Sequence, residues 1–105
     1  MAHLADGITT VVTGGTAVAL ASSGAFEWLY VMAHEDNTGL CHVGAASVVS
    51  SATGTARGTL VPRQLVSETI AWVPLRIDGP ASMNSVFIDA VTNGDSVTWF
   101  GMLAD

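Results

Sequence analysis

Short runs of β-forming residues, each bounded by turn-forming residues, restrict the fold of this chain more than any other sequence feature. Thirteen valines and eleven threonines raise its β-propensity, and eleven glycines help to separate the runs. No long window has the period of an amphipathic helix. We therefore predict an all-β fold, a single antiparallel β-sandwich or small jelly-roll or Greek-key barrel of about seven or eight short strands.

The middle of the chain predicts a hairpin. Residues 27–34 alternate, so that Trp28, Tyr30 and Met32 point away from the side chains between them. Both faces of this run are apolar, which is typical of a strand buried on two sides. Residues 35–39 favour a tight turn, and residues 40–44 return as a second strand.

A second hairpin is predicted near the end of the chain. Residues 85–91 and 96–103 alternate, and the sequence Thr-Asn-Gly-Asp at residues 92–95 separates them. Asn-Gly between two alternating runs favours a type I′ turn, in which both central residues need positive φ.

The rest of the chain predicts shorter strands and one long loop. Proline cannot donate to a β-ladder, so Pro62 and Pro74 are expected to end strands. The predicted segments are strands at residues 8–13, 16–21, 60–61 and 65–73, a continuation past a bulge at 75–77, and a loop at 47–58.

A length of 105 residues suits a single domain with one core. We predict a β-sandwich domain over residues 8–105, preceded by an N-terminal arm over residues 1–7 that becomes ordered only against a partner. Half of the residues are hydrophobic and only 11% are charged. Because a small domain leaves much of its surface exposed, apolar side chains must lie outside a lone monomer, which indicates an oligomer or a large partner surface.

The charge balance excludes several partners. The net charge is −6, and the cations are three arginines with no lysine. Such a chain cannot form the basic patch that nucleic acids or anionic membranes require. No apolar run is long enough to span a bilayer, and the N-terminus does not resemble a signal peptide, so we expect synthesis in the cytoplasm. A single cysteine, Cys41, excludes an intrachain disulfide.

No residue pattern predicts catalysis, a cofactor or a metal ion. Cys41 and His42 are adjacent in a predicted strand, so their side chains leave opposite faces and make a poor nucleophile–base pair. His34 and His42 would be diagonal neighbours at best across the first predicted hairpin, without the spacing of a metal site. An ion on an oligomer axis stays open as an alternative, because one histidine per subunit then suffices.

The aromatic residues allow two interpretations. Trp28, Tyr30, Trp72 and Trp99 lie in predicted strands, where they could form a sugar-binding platform or pack in the core and between subunits. Their number is ordinary for a chain of this length, so packing is the preferred interpretation.

Four segments carry a resemblance to a known group of proteins. They are Thr-Ala-Val-Ala-Leu at residues 16–20, Asp-Asn-Thr-Gly-Leu-Cys-His-Val-Gly at 36–44, Gly-Thr-Leu-Val-Pro at 58–62, and Val-Phe-Ile-Asp-Ala-Val-Thr-Asn-Gly-Asp-Ser-Val at 86–97. In this order the chain resembles small β-sandwich virion proteins of tailed bacteriophages. It departs from them at residues 60–64, where Leu-Val-Pro-Arg-Gln stands in place of their Leu-x-Pro-Gly-Glu turn.

The resemblance implies a non-enzymatic role. Such a chain would be a capsid decoration, or cement, protein that binds the major capsid protein on the outer surface of the virion as a symmetric homo-oligomer, with a homotrimer preferred. Its acidity fits the outside of a shell better than the inside, where packaged DNA would repel it. The alternative is a head-fibre or tail-associated module that binds host-surface glycans or another virion protein. A small metabolic enzyme is the third, least favoured hypothesis.

Partner contacts are assigned to the arm and to two arginines near the long loop. The arm is expected to reach a neighbouring subunit, and the arginines to pair with acidic residues of the shell. Replacing both arginines with alanine is predicted to weaken capsid binding and leave the fold intact. The assigned residues are Met1, His3, Leu4, Asp6, Arg57 and Arg63.

Overall fold

A computed structural model describes residues 2–50, 58–63 and 73–104. Eight β-strands and one short 3-10 turn, at Met83–Ser85, account for the regular structure of these residues. The strands are β1 (His3–Thr10), β2 (Val18–Ala19), β3 (Ala25–Ala33), β4 (Cys41–Gly44), β5 (Thr59–Leu60), β6 (Leu75–Ser82), β7 (Phe87–Ala90) and β8 (Ser96–Ala104).

The strands form two antiparallel sheets. Sheet 1 has the order β1-β8-β3-β6, and sheet 2 has the order β2-β7-β4-β5. The first strand therefore pairs with the last, the second with the seventh, the third with the sixth and the fourth with the fifth. This nested pairing is that of a jelly roll. The predicted all-β sandwich is confirmed, with jelly-roll topology.

The core lies between the two sheets. Sheet 1 contributes Phe26, Leu29 and Val31, all fully buried, and sheet 2 contributes Val43 and Ile88 among others. The predicted alternation of β3 is confirmed, because Leu29, Val31 and Ala33 are buried whereas the side chains between them are only half-buried. Burial of these side chains is the main stabilising term of the fold.

Both predicted hairpins are wrong. Their strands exist, but β3 lies in sheet 1 and β4 in sheet 2, and likewise β7 lies in sheet 2 and β8 in sheet 1. The turn-forming segments at residues 34–40 and 91–95 are therefore crossings between sheets. The second crossing is not a type I′ turn, which needs positive φ at two consecutive residues. Among residues 91–95, Gly94 has a positive φ of 86° and the other four residues do not.

The predicted N-terminal arm is also wrong for the residues that the structure describes. His3–Thr10 is strand β1, paired with β8 through eight register positions from His3↔Leu103 to Thr10↔Ser96. The boundary predicted at residue 8 falls inside this strand. The prediction assumes that a chain terminus is ordered only when a partner holds it, whereas residues 3–7 are held by β8 of the same chain.

The remaining segments follow the prediction in part. Strand β5 ends before Pro62, and β6 begins directly after Pro74. Of the predicted strand at 65–73, only residue 73 is described, and it is not in a strand. Of the predicted loop at 47–58, residues 47–50 and 58 are described and lie outside strands, and the rest lies outside the described residues.

Candidate interaction surface

Asn37 of the first crossing segment binds the backbone at the start of β8, and Asp95 of the second crossing segment binds the backbone of the first. The amide of Asn37 donates to the carbonyl oxygen of Ser96 at 2.7 Å and accepts from its N–H at 2.8 Å. The carboxylate of Asp95 accepts the N–H groups of Thr38 at 3.1 Å and Gly39 at 2.9 Å. Asn37 and Asp95 are both buried, so their polar groups cannot bond water in the folded chain. The hydrogen bonds to backbone groups take the place of those bonds to water. We call these contacts the crossing lock.

Arg63 extends the crossing lock. Its guanidinium group donates to the carbonyl oxygens of Gly39 at 3.0 Å and Asn37 at 3.2 Å. The sequence assigned Arg63 to a partner, but its half-buried side chain is engaged within the chain. Replacing it is therefore expected to affect the fold as well as any binding. Arg57, assigned with it, lies outside the described residues.

Cys41 and His42 point to opposite faces of β4, as predicted. Cys41 belongs to the hydrophobic core, where burial raises the pKa of its thiol to about 11, with a further contribution from the Asp95 carboxylate. At neutral pH the thiol is protonated and a weak nucleophile.

A buried polar cluster covers the other face of sheet 2. His42 Nδ1 is hydrogen-bonded to the hydroxyl of Ser50, and the Asp89 carboxylate accepts the N–H groups of Ser50 at 2.8 Å and Gly15 at 3.0 Å. These residue types can form a catalytic triad, but Ser50 and Asp89 are fully buried. The Asp89 carboxylate instead accepts backbone N–H groups from the two loops that carry Gly15 and Ser50. A substrate does not reach this hydroxyl in the structure.

The two histidines considered for a metal site lie in different parts of the fold. His34 follows β3, and its Nδ1 accepts the N–H of Asp36 at 3.1 Å, whereas His42 lies within β4 of the other sheet. The expected diagonal approach across a hairpin is therefore wrong, because there is no hairpin. Among the described residues, no three His, Cys, Asp or Glu side chains are grouped closely enough to share a metal ion.

The outward side of sheet 1 brings together three of the exposed large apolar side chains of the described residues. Register and alternation place side chains from all four strands on it, and Ile8 is 63% exposed, Leu4 57% and Phe100 44%. We call it the outer face. Its members are Leu4, Asp6 and Ile8 from β1, Thr98, Phe100 and Met102 from β8, Trp28, Tyr30 and Met32 from β3, and Arg76 and Asp78 from β6.

Aromatic rings and one arginine form the centre of the outer face. The Trp28 ring meets Tyr30 and Phe100 edge to face, with centroids 5.5 and 5.8 Å apart. The Arg76 guanidinium lies about 5.5 Å from the Trp28 and Tyr30 rings, and it donates to the Tyr30 hydroxyl at 2.9 Å and to Asp78 at 2.7 Å. Cation–π contacts and these bonds hold the rings in a fixed arrangement.

Beside this centre the outer face carries a shallow groove of about 580 Å³. Asp6, Ile8, Met32 and Phe100 line it, with Pro74 at one end. Most of the lining is apolar, so the groove favours contact with another apolar surface over a strongly charged ligand.

The structure brings some of the assigned partner residues to this surface. Leu4 and Asp6 lie on the outer face, whereas His3 alternates with them and is exposed near the start of β1. Met1 and Arg57 lie outside the described residues. The assignment missed Ile8, Phe100 and Arg76, because their place on the same face as Leu4 and Asp6 depends on which strands pair.

The tryptophans divide between the two sides of sheet 1. Trp28 lies on the outer face, while Trp99 packs inward over Gly7, where a Cβ atom would approach the Trp99 ring to 2.6 Å. Packing is thus the role of Trp99 in the structure, whereas Trp28 is half-buried and contacts the rings of Tyr30 and Phe100 in its own sheet. Trp72 lies outside the described residues.

Comparison of the chain with protein-family models, with curated proteins and with solved structures gave no match. Among the described residues, no helix has the length and apolar character needed to cross a membrane.

Proposed function

We propose that this chain is a non-enzymatic structural protein that decorates the outer capsid surface of a tailed bacteriophage, where it binds the major capsid protein as a symmetric homo-oligomer. The observation that carries the proposal is the outer face. On this face Leu4 and Ile8 of β1 and Phe100 of β8 are exposed apolar side chains, which a protein that acts alone rarely leaves grouped and uncovered, whereas a subunit of an assembly needs such a group.

Two further properties support an assembly role. The buried polar side chains of the crossing lock and of the Ser50 cluster are engaged in holding loops to strands, which stiffens the jelly roll. The net charge of −6 is compatible with the outside of a shell that encloses DNA. An acidic protein that exposes grouped apolar side chains suits a role in which it reinforces a shell by surface contact.

Rebinding to stripped capsids tests this function. Heads of the phage that encodes the chain are freed of accessory proteins, mixed with the purified protein and sedimented. We expect binding at a fixed ratio to the capsid protein and a higher temperature of head disruption. The absence of co-sedimentation at any protein concentration would contradict the proposal.

A single arginine separates binding from folding in this assay. Arg63 holds the crossing lock, so the originally predicted double replacement of Arg57 and Arg63 mixes the two effects. Arg57→Ala is expected to weaken head binding without lowering the unfolding temperature. Arg63→Ala is expected to lower that temperature as well.

The aromatic centre of the outer face favours a second candidate, a fibre or tail module that binds host glycans. Trp28, Tyr30 and Phe100 supply aromatic surface, and Asp78 supplies a hydrogen-bonding rim. Against it, Arg76 already lies over two of these rings, which limits stacking of a sugar. Saccharide binding that quenches tryptophan fluorescence, by protein that does not bind heads, would favour this candidate.

A further inference from the structure

We propose that the outer face is a self-complementary surface on which a second copy of this chain docks about a two-fold axis parallel to the strands of sheet 1. This inference concerns the protein alone and holds whether or not the oligomer binds a capsid. It starts from the sequence of β3, whose two apolar faces predict burial on both sides, while the single chain buries only one.

The residues of the outer face lie in rows across the sheet. Asp6 pairs in register with Phe100, Phe100 with Tyr30, and Tyr30 with Arg76. One row therefore has a carboxylate at one edge, two aromatic rings in the middle and a guanidinium group at the other edge. Asp6 and Arg76 are separated by three strand spacings, about 14 Å, so they do not pair within one chain.

A two-fold axis parallel to the strands turns this row onto itself. It places β1 of one copy over β6 of the other. Each row of one copy then faces the same row of the other copy, with the order of its residues reversed. Asp6 of each copy then faces Arg76 of its partner copy, and Phe100 faces Tyr30. The arrangement is isologous, as in most symmetric dimers, and gives two identical ion pairs on either side of an aromatic centre.

The neighbouring row supplies apolar contact in the same arrangement. Leu4, Met102, Trp28 and Asp78 are in register, so Met102 of one copy meets Trp28 of the other at the centre, and Leu4 meets Asp78 at the edges. Contact of methionine sulfur with an aromatic ring is favourable. Sheets that pack face to face keep their strands within about 30° of parallel, which leaves the long Arg76 side chain within reach of the opposing Asp6.

The other simple two-fold arrangement is less complementary. An axis across the strands would stack β1 on β1, and β1 carries no arginine or lysine, so Asp6 would be left without a cation. With the axis along the strands, Asp6 faces the guanidinium group of Arg76, which bonds Asp78 in the single chain and would then be shared between the two carboxylates. Like charges that face each other across an interface are unfavourable, which favours the parallel axis.

The size of the face predicts a modest affinity. Four strands of about eight residues span roughly 19 by 26 Å, so the two copies together bury on the order of 1,000 Å². This is at the lower limit of specific interfaces, below the standard size of about 1,600 Å². We therefore expect a dimer that dissociates on dilution, in place of the homotrimer that the resemblance implies.

A charge exchange tests the arrangement. Sedimentation equilibrium of the full chain over a dilution series should give a monomer–dimer equilibrium. Asp6→Arg and Arg76→Glu should each raise the dissociation constant by about tenfold or more, because two like-charged contacts replace two ion pairs. The double variant re-forms both pairs with reversed sign and should lower the constant again by a similar factor.

Two controls make the result specific. Glu35→Arg changes the net charge by the same amount at an exposed turn position away from the outer face, and should leave the dissociation constant unchanged. If Arg76→Glu loses its fold together with its bond to Tyr30, Asp6→Asn and Asp6→Arg still test the pair. The dissociation constant should rise from Asp to Asn to Arg.

The proposal has clear contrary outcomes. A monomer at every concentration, or a trimer, would overturn it. So would a dimer that Asp6→Arg does not weaken, a double variant no tighter than the single ones, or a Glu35→Arg variant weakened as much as Asp6→Arg.

Discussion

At Cys41, burial and neighbouring charges act on a single thiol. The side chain is fully buried and its sulfur accepts a hydrogen bond from the amide of Asn37 at 3.4 Å. Burial raises the thiol pKa from 9.0 to about 11, and the carboxylates of Asp95 and Asp89 add to the rise while Arg63 opposes it. The native state therefore holds the thiol proton more tightly than the unfolded chain does.

This difference predicts a loss of stability at high pH. Between pH 9 and 11 the unfolded thiol ionises while the native thiol stays protonated, so its contribution is complete below pH 9 and is lost as the pH rises through 11. We expect a decrease in the free energy of unfolding on the order of 2 kcal/mol, measured by urea denaturation across this range. Cys41→Ser, which does not ionise there, should show a smaller decrease.

The chain offers a favourable background for this measurement, because it has no lysine and a single tyrosine. Few other side chains titrate in the same range. Equal pH dependence in the wild type and in Cys41→Ser would show that the native thiol does not hold its proton more tightly than the unfolded one.

At the level of elements, the sequence located β3, β4, β7 and β8 closely, the extents of β1 and β6 poorly, and the partners of both predicted hairpins wrongly. Alternating runs around Asn-Gly look alike whether they return in one sheet or cross to another, since the turn residues are the same. The difference arises from Asn37 and Asp95, whose side chains bind backbone groups 56 to 59 residues away. A local sequence pattern carries no information about contacts between residues so far apart. Composition therefore predicted a sandwich, whereas the two crossings between sheets became visible only in the structure.

The crossing lock predicts a coupled pair of substitutions. Asp95→Ala leaves the N–H groups of Thr38 and Gly39 without their acceptor. Asn37→Ala removes the acceptor of the Ser96 N–H, while the Ser96 carbonyl oxygen keeps its bond from the N–H of His34. Each should lower the free energy of unfolding by about 1–3 kcal/mol. Because both act on the same two crossing segments, a double-mutant cycle should give a coupling energy of at least about 0.5 kcal/mol.

Asn93→Ala is the matched control for the crossing lock. Asn93 lies in the same crossing and accepts the N–H of Gly14 at 2.7 Å, but its side chain is exposed, so water can replace the bond. Its loss should destabilise the fold less than either buried substitution. Additive effects of Asp95→Ala and Asn37→Ala would mean that the two crossings are held independently.

For the whole molecule, nested pairing makes the two ends of the chain depend on each other. β1 and β8 are the outermost pair of the jelly roll and join residues more than 80 positions apart. β1 also contacts the other sheet, where the Thr9 hydroxyl donates to the Leu20 carbonyl at 2.6 Å. The sequence assigns Leu4 and Asp6 to partner contact, which stays a prediction, and the pairing of β1 with β8 puts both residues beside Phe100 on the outer face.

We therefore predict that removal of residues 1–7 destabilises the whole fold. Removal of a dispensable arm would leave the fold unchanged. The deletion removes most of β1, exposes the backbone of β8 along its free edge and uncovers the Trp99 ring where it packs on Gly7. We expect a lower unfolding temperature with a broad or absent cooperative transition, followed by near-ultraviolet circular dichroism. Removal of residues 1–2 alone, ahead of the strand, should leave the transition nearly unchanged. A deletion of residues 1–7 that unfolds like the full chain would restore the arm interpretation and exclude β1 as a structural strand.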